Sequence, residues 1–132
     1  VCSSDLYRGG LGIRRDVRIT GNECVFSVKA DRQKLPPWGL EGGKNGMAGK
    51  IVINPDSDNS KIVDSKKSNI LLKQGTILSC NTPGSGGYGD PKERDKNLVI
   101  KDLKEGYISY KSAITNYGMS EDELATAGIL KD

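Results

Sequence analysis

The chain has 132 residues, 35% of them hydrophobic and 5% aromatic, with 17 glycines and a formal net charge of +3. That length suits one domain with a core of its own, but the supply of core-forming side chains is thin and the glycines point to turns and loops. So small a charge, with no basic run beyond Arg14-Arg15 and Lys66-Lys67, excludes a nucleic-acid electrostatic footprint, and no apolar stretch is long enough to span a bilayer or to form a secretory leader.

A soluble, cytoplasmic location is therefore the expectation. The three cysteines, Cys2, Cys24 and Cys80, are odd in number and widely spaced, which argues against a disulfide framework or a zinc knuckle. Cys24 and Cys80 read as small apolar residues within strands. With no histidine in the chain, the usual general base and the commonest metal ligand are both missing.

The opening string Val1-Cys2-Ser3-Ser4-Asp5-Leu6 can be written back as GTG TGC TCT TCC GAT CT, the tail of a widely used sequencing adapter. Residues 1–6 are accordingly expected to be non-native. From Tyr7 onward the pattern becomes structured. Leu11, Ile13, Val17 and Ile19 alternate with polar or small residues around a slip at Arg15, as in a half-buried strand with a bulge. Gly21-Asn22 makes a turn before Val25–Ala30, so residues 11–30 predict an antiparallel hairpin.

Residues 31–50 have no periodicity and contain Pro36-Pro37, Trp38 and five glycines. Trp38 argues for an ordered loop, because a lone indole among prolines and glycines is costly to leave in water and is expected to dock onto a surface. Short strands follow at 51–53 and 61–63 around the polar turn 55–60. A further strand pair is expected at 70–72 and 76–80 around Gln74-Gly75.

The tail changes character at Asp90. Asp90 can cap a helix, Pro91 suits its first position and Glu93 completes a D-x-x-E box, so a helix to about Lys104 is expected, stopped by Gly106. Ser109 can start a second helix carrying Ala113 and Ile114 to Gly118, and Ser120 with Glu123 forms another capping box. The fold class is thus α+β: a β-rich segment over 7–89, sandwich- or barrel-like, with a helical cap over 90–132.

Two loops stand out as chemistry. Gly84-Ser85-Gly86-Gly87-Tyr88-Gly89 follows a strand and literally contains G-x-G-x-x-G. Asp90, however, puts a carboxylate where a pyrophosphate would need a free helix N-terminus, and no strand follows to complete a βαβ unit. A Walker loop fails as well, since Gly43-Lys44 continues with Asn45 rather than Ser or Thr. The other loop, Asp31 to Gly46, interleaves charges with residues that fix or free the backbone. Arg32, Trp38, Glu41 and Lys44 there, and Gly86, Gly87, Tyr88 and Asp90 in the second loop, are candidates for holding a carbonyl or carboxylate substrate or a neighbouring subunit. The bland alternative is that the glycines only serve tight turns and the charges are satisfied on the surface. The segments Trp38 to Lys44 and Gly84 to Asp90 both combine glycines with an aromatic and an acid, and they are expected to lie side by side at one end of the sheet.

These strings, with Tyr7-Arg8-Gly9-Gly10-Leu11-Gly12 before them, resemble the C-terminal section of the hydantoinase B/oxoprolinase family. The resemblance runs in order through Pro36-Pro37-Trp38-Gly39-Leu40-x-Gly42-Gly43-Lys44, the 82–91 loop and Glu93-Arg94-Asp95 to Asp102-Leu103-x-x-Gly106-Tyr107-Ile108-Ser109 and Tyr117-Gly118. Ser85 stands where the family usually has glycine, which is tolerable if that position keeps φ below zero. The resemblance implies a piece of a large subunit, closest in loop form to N-methylhydantoinase B, that opens a cyclic amide of the hydantoin or 5-oxoproline type. It further implies ATP and a divalent metal in the parent enzyme, neither held by this piece. The implied partners are the missing N-terminal part of the same subunit and a hydantoinase A-type ATP-using subunit. Alternatives are a ketone carboxylase subunit of the same family and a free-standing β-rich binding module. The isolated chain is expected to be only marginally stable.

Overall fold

The computed structural model describes residues 5–129. Four of the six residues read as adapter-derived, Cys2 among them, lie outside the described residues. The chain divides into two compact units, one of residues 12–36 and 48–83, the other of residues 1–11, 37–47 and 84–132.

The first unit holds every strand. A four-stranded antiparallel sheet runs in the order β1 (Arg14–Arg18), β6 (Ile77–Asn81), β3 (Lys50–Ile53), β4 (Lys61–Val63), and β2 (Glu23–Lys29) pairs with β5 (Lys66–Lys73) in a second sheet. The β3–β4 pair is the expected hairpin around the polar turn. The other two expected pairings do not form. β1 pairs with β6 and β2 with β5, so neither residues 11–30 nor residues 70–80 make a local hairpin. The reason lies at the corner: Gly75 N–H donates to the Ile19 carbonyl, Gln74 N–H to that of Asn22 and Ile19 N–H to that of Thr76. Each turn spends its backbone groups on the other turn, and four strand ends leave the crossing in exchanged pairs.

The bulge expected at Arg15 is absent, since β1 keeps unbroken register from Arg14 to Arg18, and the irregularity falls instead between Phe26 and Val28 of β2. Nor is β1 half-buried, for all five of its residues are exposed. The unit's core is small. Ile51, Val63 and Leu78 are buried, with Phe26, Val28, Ile53, Ile70 and Cys80 packed partly against them. Cys24 and Cys80 lie in β2 and β6 as free thiols, as expected.

In the second unit the expected first helix is split. Asp90 does cap, accepting from Lys92 N–H, but only a single 3₁₀ turn over Pro91–Glu93 follows. Arg94 is extended (φ −66°, ψ 137°), and Asp95 then caps α1 (Lys96–Lys104) by accepting from Asn97 N–H at 2.7 Å. Two aspartates five residues apart each offer a start, and the extended Arg94 between them prevents one continuous helix. The remaining stops and starts agree with expectation. Gly106 and Gly118 take φ of +74° and +67°, Ser109 caps α2 (Tyr110–Thr115), and Ser120 and Glu123 form a reciprocal capping box on α3 (Glu121–Thr126). Val99, Ile108, Ala113, Tyr117, Met119 and Leu124 form one contiguous buried cluster beneath these helices.

Candidate functional site

The second unit contains, besides its helices, three irregular segments that pack backbone to backbone. Tyr7 pairs antiparallel with Tyr88, and Leu40 pairs parallel with the same residue. Tyr7 N–H donates to the Tyr88 carbonyl at 2.9 Å, Leu40 N–H to that of Gly87 at 2.9 Å, Gly89 N–H to that of Leu40 at 3.0 Å and Gly87 N–H to that of Lys44 at 3.1 Å. The two glycine loops therefore do lie side by side, with residues 5–10 as a third member, and all three are grouped with the helical cap.

This closeness is what the glycines allow. A Cβ on Gly86 would run into the Trp38 carbonyl, one on Gly46 into that of Gly84, and one on Gly9 would sit 2.6 Å from the carbonyls of Ser85 and Gly86. Side chains cannot fit where two backbones pass at such spacing. Ser85 is not among the residues with positive φ, so a serine is accommodated there without strain. Gly87 is buried, and its Cα abuts the carboxyl group of Asp5. Asp5 is itself fully buried. One carboxylate oxygen accepts from Lys44 N–H, and the other has no hydrogen-bond partner among the described residues.

The candidate residues separate accordingly. Trp38, Glu41, Lys44, Gly86, Gly87, Tyr88 and Asp90 fall in this unit, whereas Arg32 belongs to the β unit, where it takes a φ of +61° and its carbonyl accepts from Gly49 N–H. Glu41 and Gly42 form the positive-φ turn after Leu40 (φ +48° and +87°). Lys44 Nζ donates to Asn116 Oδ1 at 2.6 Å, tying the loop to the end of α2. The expected docking of Trp38 is not met within the described residues, since it remains 62% exposed. Its backbone carbonyl packs directly against Gly86.

Sequence reasoning missed the buried charge cluster. Asp102 of α1 is 5% exposed and serves two guanidinium groups. Arg94 Nη2 donates to Asp102 Oδ2 at 2.9 Å, while Arg8 Nη1 lies 3.3 Å from Oδ1 as an ion pair without hydrogen-bond geometry. Arg94 Nη1 donates to the Leu6 carbonyl at 3.0 Å, and the Arg8 guanidinium lies over the Tyr107 ring at 4.6 Å. One signal was available: Asp102 sits three residues from Val99 on the apolar stripe of α1, where an acid must have a cationic partner.

The family model for hydantoinase B/oxoprolinase matches residues 6–91, which include all six strands and the three glycine segments. The chain belongs to the hydantoinase B/oxoprolinase family. It is 46% identical over 111 residues to a protein of Methanocaldococcus jannaschii, covering 84% of this chain and 19% of that one. To a Pseudomonas sp. protein named as the B component of a D-/L-hydantoinase it is 34% identical over 115 residues, covering 86% of this chain and 19% of the other. Its fold matches the crystal structure of the ATP-dependent caprolactamase from Pseudomonas jessenii with a TM-score of 0.70 at 21% identity, over 92% of this chain and 23% of that chain. The chain thus spans about one fifth of the length of these relatives.

Set against that membership, the described residues offer no group of three Cys, Asp or Glu side chains able to hold a metal ion, and the sequence has no histidine. Nor does the G-x-G-x-x-G string present a free helix end, since the Asp90 carboxylate caps the turn that follows it. Among the described residues no helix is long and apolar enough to cross a membrane.

Proposed function

We propose that this chain is a section of a cytoplasmic, ATP-dependent amidohydrolase subunit that opens a cyclic amide of the hydantoin or 5-oxoproline type, and that it supplies packing and a rigid loop platform rather than the reacting groups. Family membership supports the reaction class. The observation that carries the structural role is the glycine-spaced lattice of residues 5–10, 38–46 and 84–90, whose backbone groups largely satisfy one another. Ring opening requires a water to add to a resonance-stabilised carbonyl and the C–N bond to break with protonation of nitrogen, which is why ATP would be spent on activating the oxygen. The chain has no histidine, and its described residues hold no metal-binding cluster, to drive that addition. On this reading the metal, the ATP and the catalytic groups belong to the rest of the same polypeptide and to a hydantoinase A-type partner.

A chimera tests this reading. Residues 7–132 replace the matching section of the Pseudomonas hydantoinase B component, and ATP-dependent hydantoin opening is measured with its partner present. Retained turnover is expected. A folded, partner-bound chimera without activity would count against the assignment.

A further inference from the structure

Asn45-Gly46 is the one Asn-Gly step in the sequence, and it lies inside the glycine lattice. An asparagine followed by glycine is the step most prone to spontaneous deamidation, because no side chain on the second residue hinders its backbone nitrogen from reaching the asparagine amide carbon. Closing that five-membered ring needs a deprotonated Gly46 nitrogen and free rotation about the bonds of Asn45. The lattice withholds both. Gly46 N–H donates to the Pro37 carbonyl at 2.9 Å, and Asn45 Oδ1 accepts from Gly39 N–H at 3.1 Å. Gly46 is buried against the Gly84 carbonyl so closely that a Cβ would not fit. Asn45 itself is exposed, so water reaches the residue and only the backbone geometry stands in the way.

We propose that Asn45-Gly46 is a latent modification site, closed while the lattice is formed and opened when it parts, and that the isoaspartyl product made there prevents the lattice from re-forming. In the open chain the Gly46 nitrogen loses its proton and bonds to Asn45 Cγ. The side-chain nitrogen leaves with a proton as ammonia, which closes a succinimide. One water then opens the ring at either carbonyl, so water is consumed, ammonia is released and nothing is oxidised or reduced. Opening at one carbonyl leaves an aspartyl residue, whose carboxylate can still accept from Gly39 N–H. Opening at the other leaves an isoaspartyl residue, which routes the main chain through the former side chain. That route adds a methylene immediately before Gly46, where backbone already abuts backbone.

Peptide mapping by mass spectrometry, with the asparaginyl, aspartyl and isoaspartyl forms separated by chromatography, tests both halves. The rate of deamidation in the chain is compared with that of a synthetic peptide of residues 39–50 in the same mildly alkaline buffer, and the Gly46 amide is followed in parallel by hydrogen exchange. Both processes need the same opening, so the slowing of deamidation should match the protection factor of the Gly46 amide, each being at least about tenfold. Deamidation at the peptide's rate while Gly46 stays protected overturns the gating, and so does a Gly46 amide without protection. For the second half, the chain is deamidated in urea and returned to buffer. Aspartyl molecules should regain Gly46 protection to the level of an Asn45→Asp variant that was never unfolded, whereas isoaspartyl molecules should not. If the two forms behave alike, whether both recover or neither does, the isoaspartyl block is overturned.

Discussion

The two units hold together by different means. The β unit has an interlocked corner and a core cluster of three buried apolar residues, Ile51, Val63 and Leu78, with Val52 and Leu72 buried outside it and β1 exposed along its whole length. The other unit joins a contiguous six-residue apolar cluster under three capped helices to a lattice in which backbone packs directly on backbone. In the first, most positions can change side chain at little cost. In the second, the absence of side chains is itself the packing requirement, so tolerance is lowest where the sequence is plainest. The glycine-rich loops, with the texture of linkers, are the most constrained part of the chain.

Substitutions can break or sharpen that contrast. Gly86→Val should have the largest effect, since its Cβ meets the Trp38 carbonyl and the ladder must part. A loss of about 4 kcal/mol or more is expected in denaturant melts, with hydrogen-exchange protection of the Leu40, Gly87 and Gly89 amides lost. A melt unchanged by Gly86→Val would show the lattice to be loose. Next in size, Asp102→Ala leaves Arg94, its side chain 9% exposed, and the half-buried Arg8 without their shared carboxylate and should destabilise by about 3 kcal/mol. A smaller change would mean that the Tyr107 ring and the Leu6 carbonyl suffice.

Asp5 offers a change of opposite sign. Its buried carboxylate has one oxygen without a partner among the described residues, so Asp5→Ala should raise stability by about 1 kcal/mol despite losing the bond from Lys44 N–H. Thermal melts of the pair decide the sign, and a gain agrees with the reading of residues 1–6 as non-native. Ser120→Ala should remove about 1 kcal/mol through loss of the capping box. Glu123, its partner, has a carboxyl held below the ordinary value first by the Lys96 ammonium and then by the Ser120 N–H. A depressed carboxylate contributes stability above its unfolded pKa, ordinarily 4.5, and that contribution disappears as pH falls through the folded value. The difference between wild type and Glu123→Gln should therefore be present at pH 7 and vanish in acid. At the small end, Ser57→Ala in the β3–β4 turn removes only a side-chain bond to the Asn54 carbonyl at 3.2 Å and should stay within about 0.5 kcal/mol.

What could be read from the sequence and what could not divide along a physical line. Local signals were sufficient for the β3–β4 hairpin, the Ser109 and Ser120 caps, the glycine stops at 106 and 118 and the strand positions of Cys24 and Cys80, because each depends on residues within one turn of each other. The α+β class and the family resemblance were legible for a similar reason: ordered strings of glycine, proline and aromatic residues leave little freedom in what they can build. Partner choice was not legible. β1 and β2 carry the alternation and the turn expected of a hairpin, yet their hydrogen bonds go to β6 and β5, a decision made by backbone groups near Gly75 more than fifty residues away. The split before α1 turned on Arg94, which is extended where its side chain reaches back to Leu6 and Asp102. The side-by-side setting of the two glycine loops was anticipated from their composition. Only the tertiary structure showed that they belong with the helices, that Arg32 falls in the β unit, and that Trp38 lends its backbone to the packing while the residue stays 62% exposed. Sequence texture records what a residue can do locally, whereas contacts between distant backbones depend on the whole path of the chain.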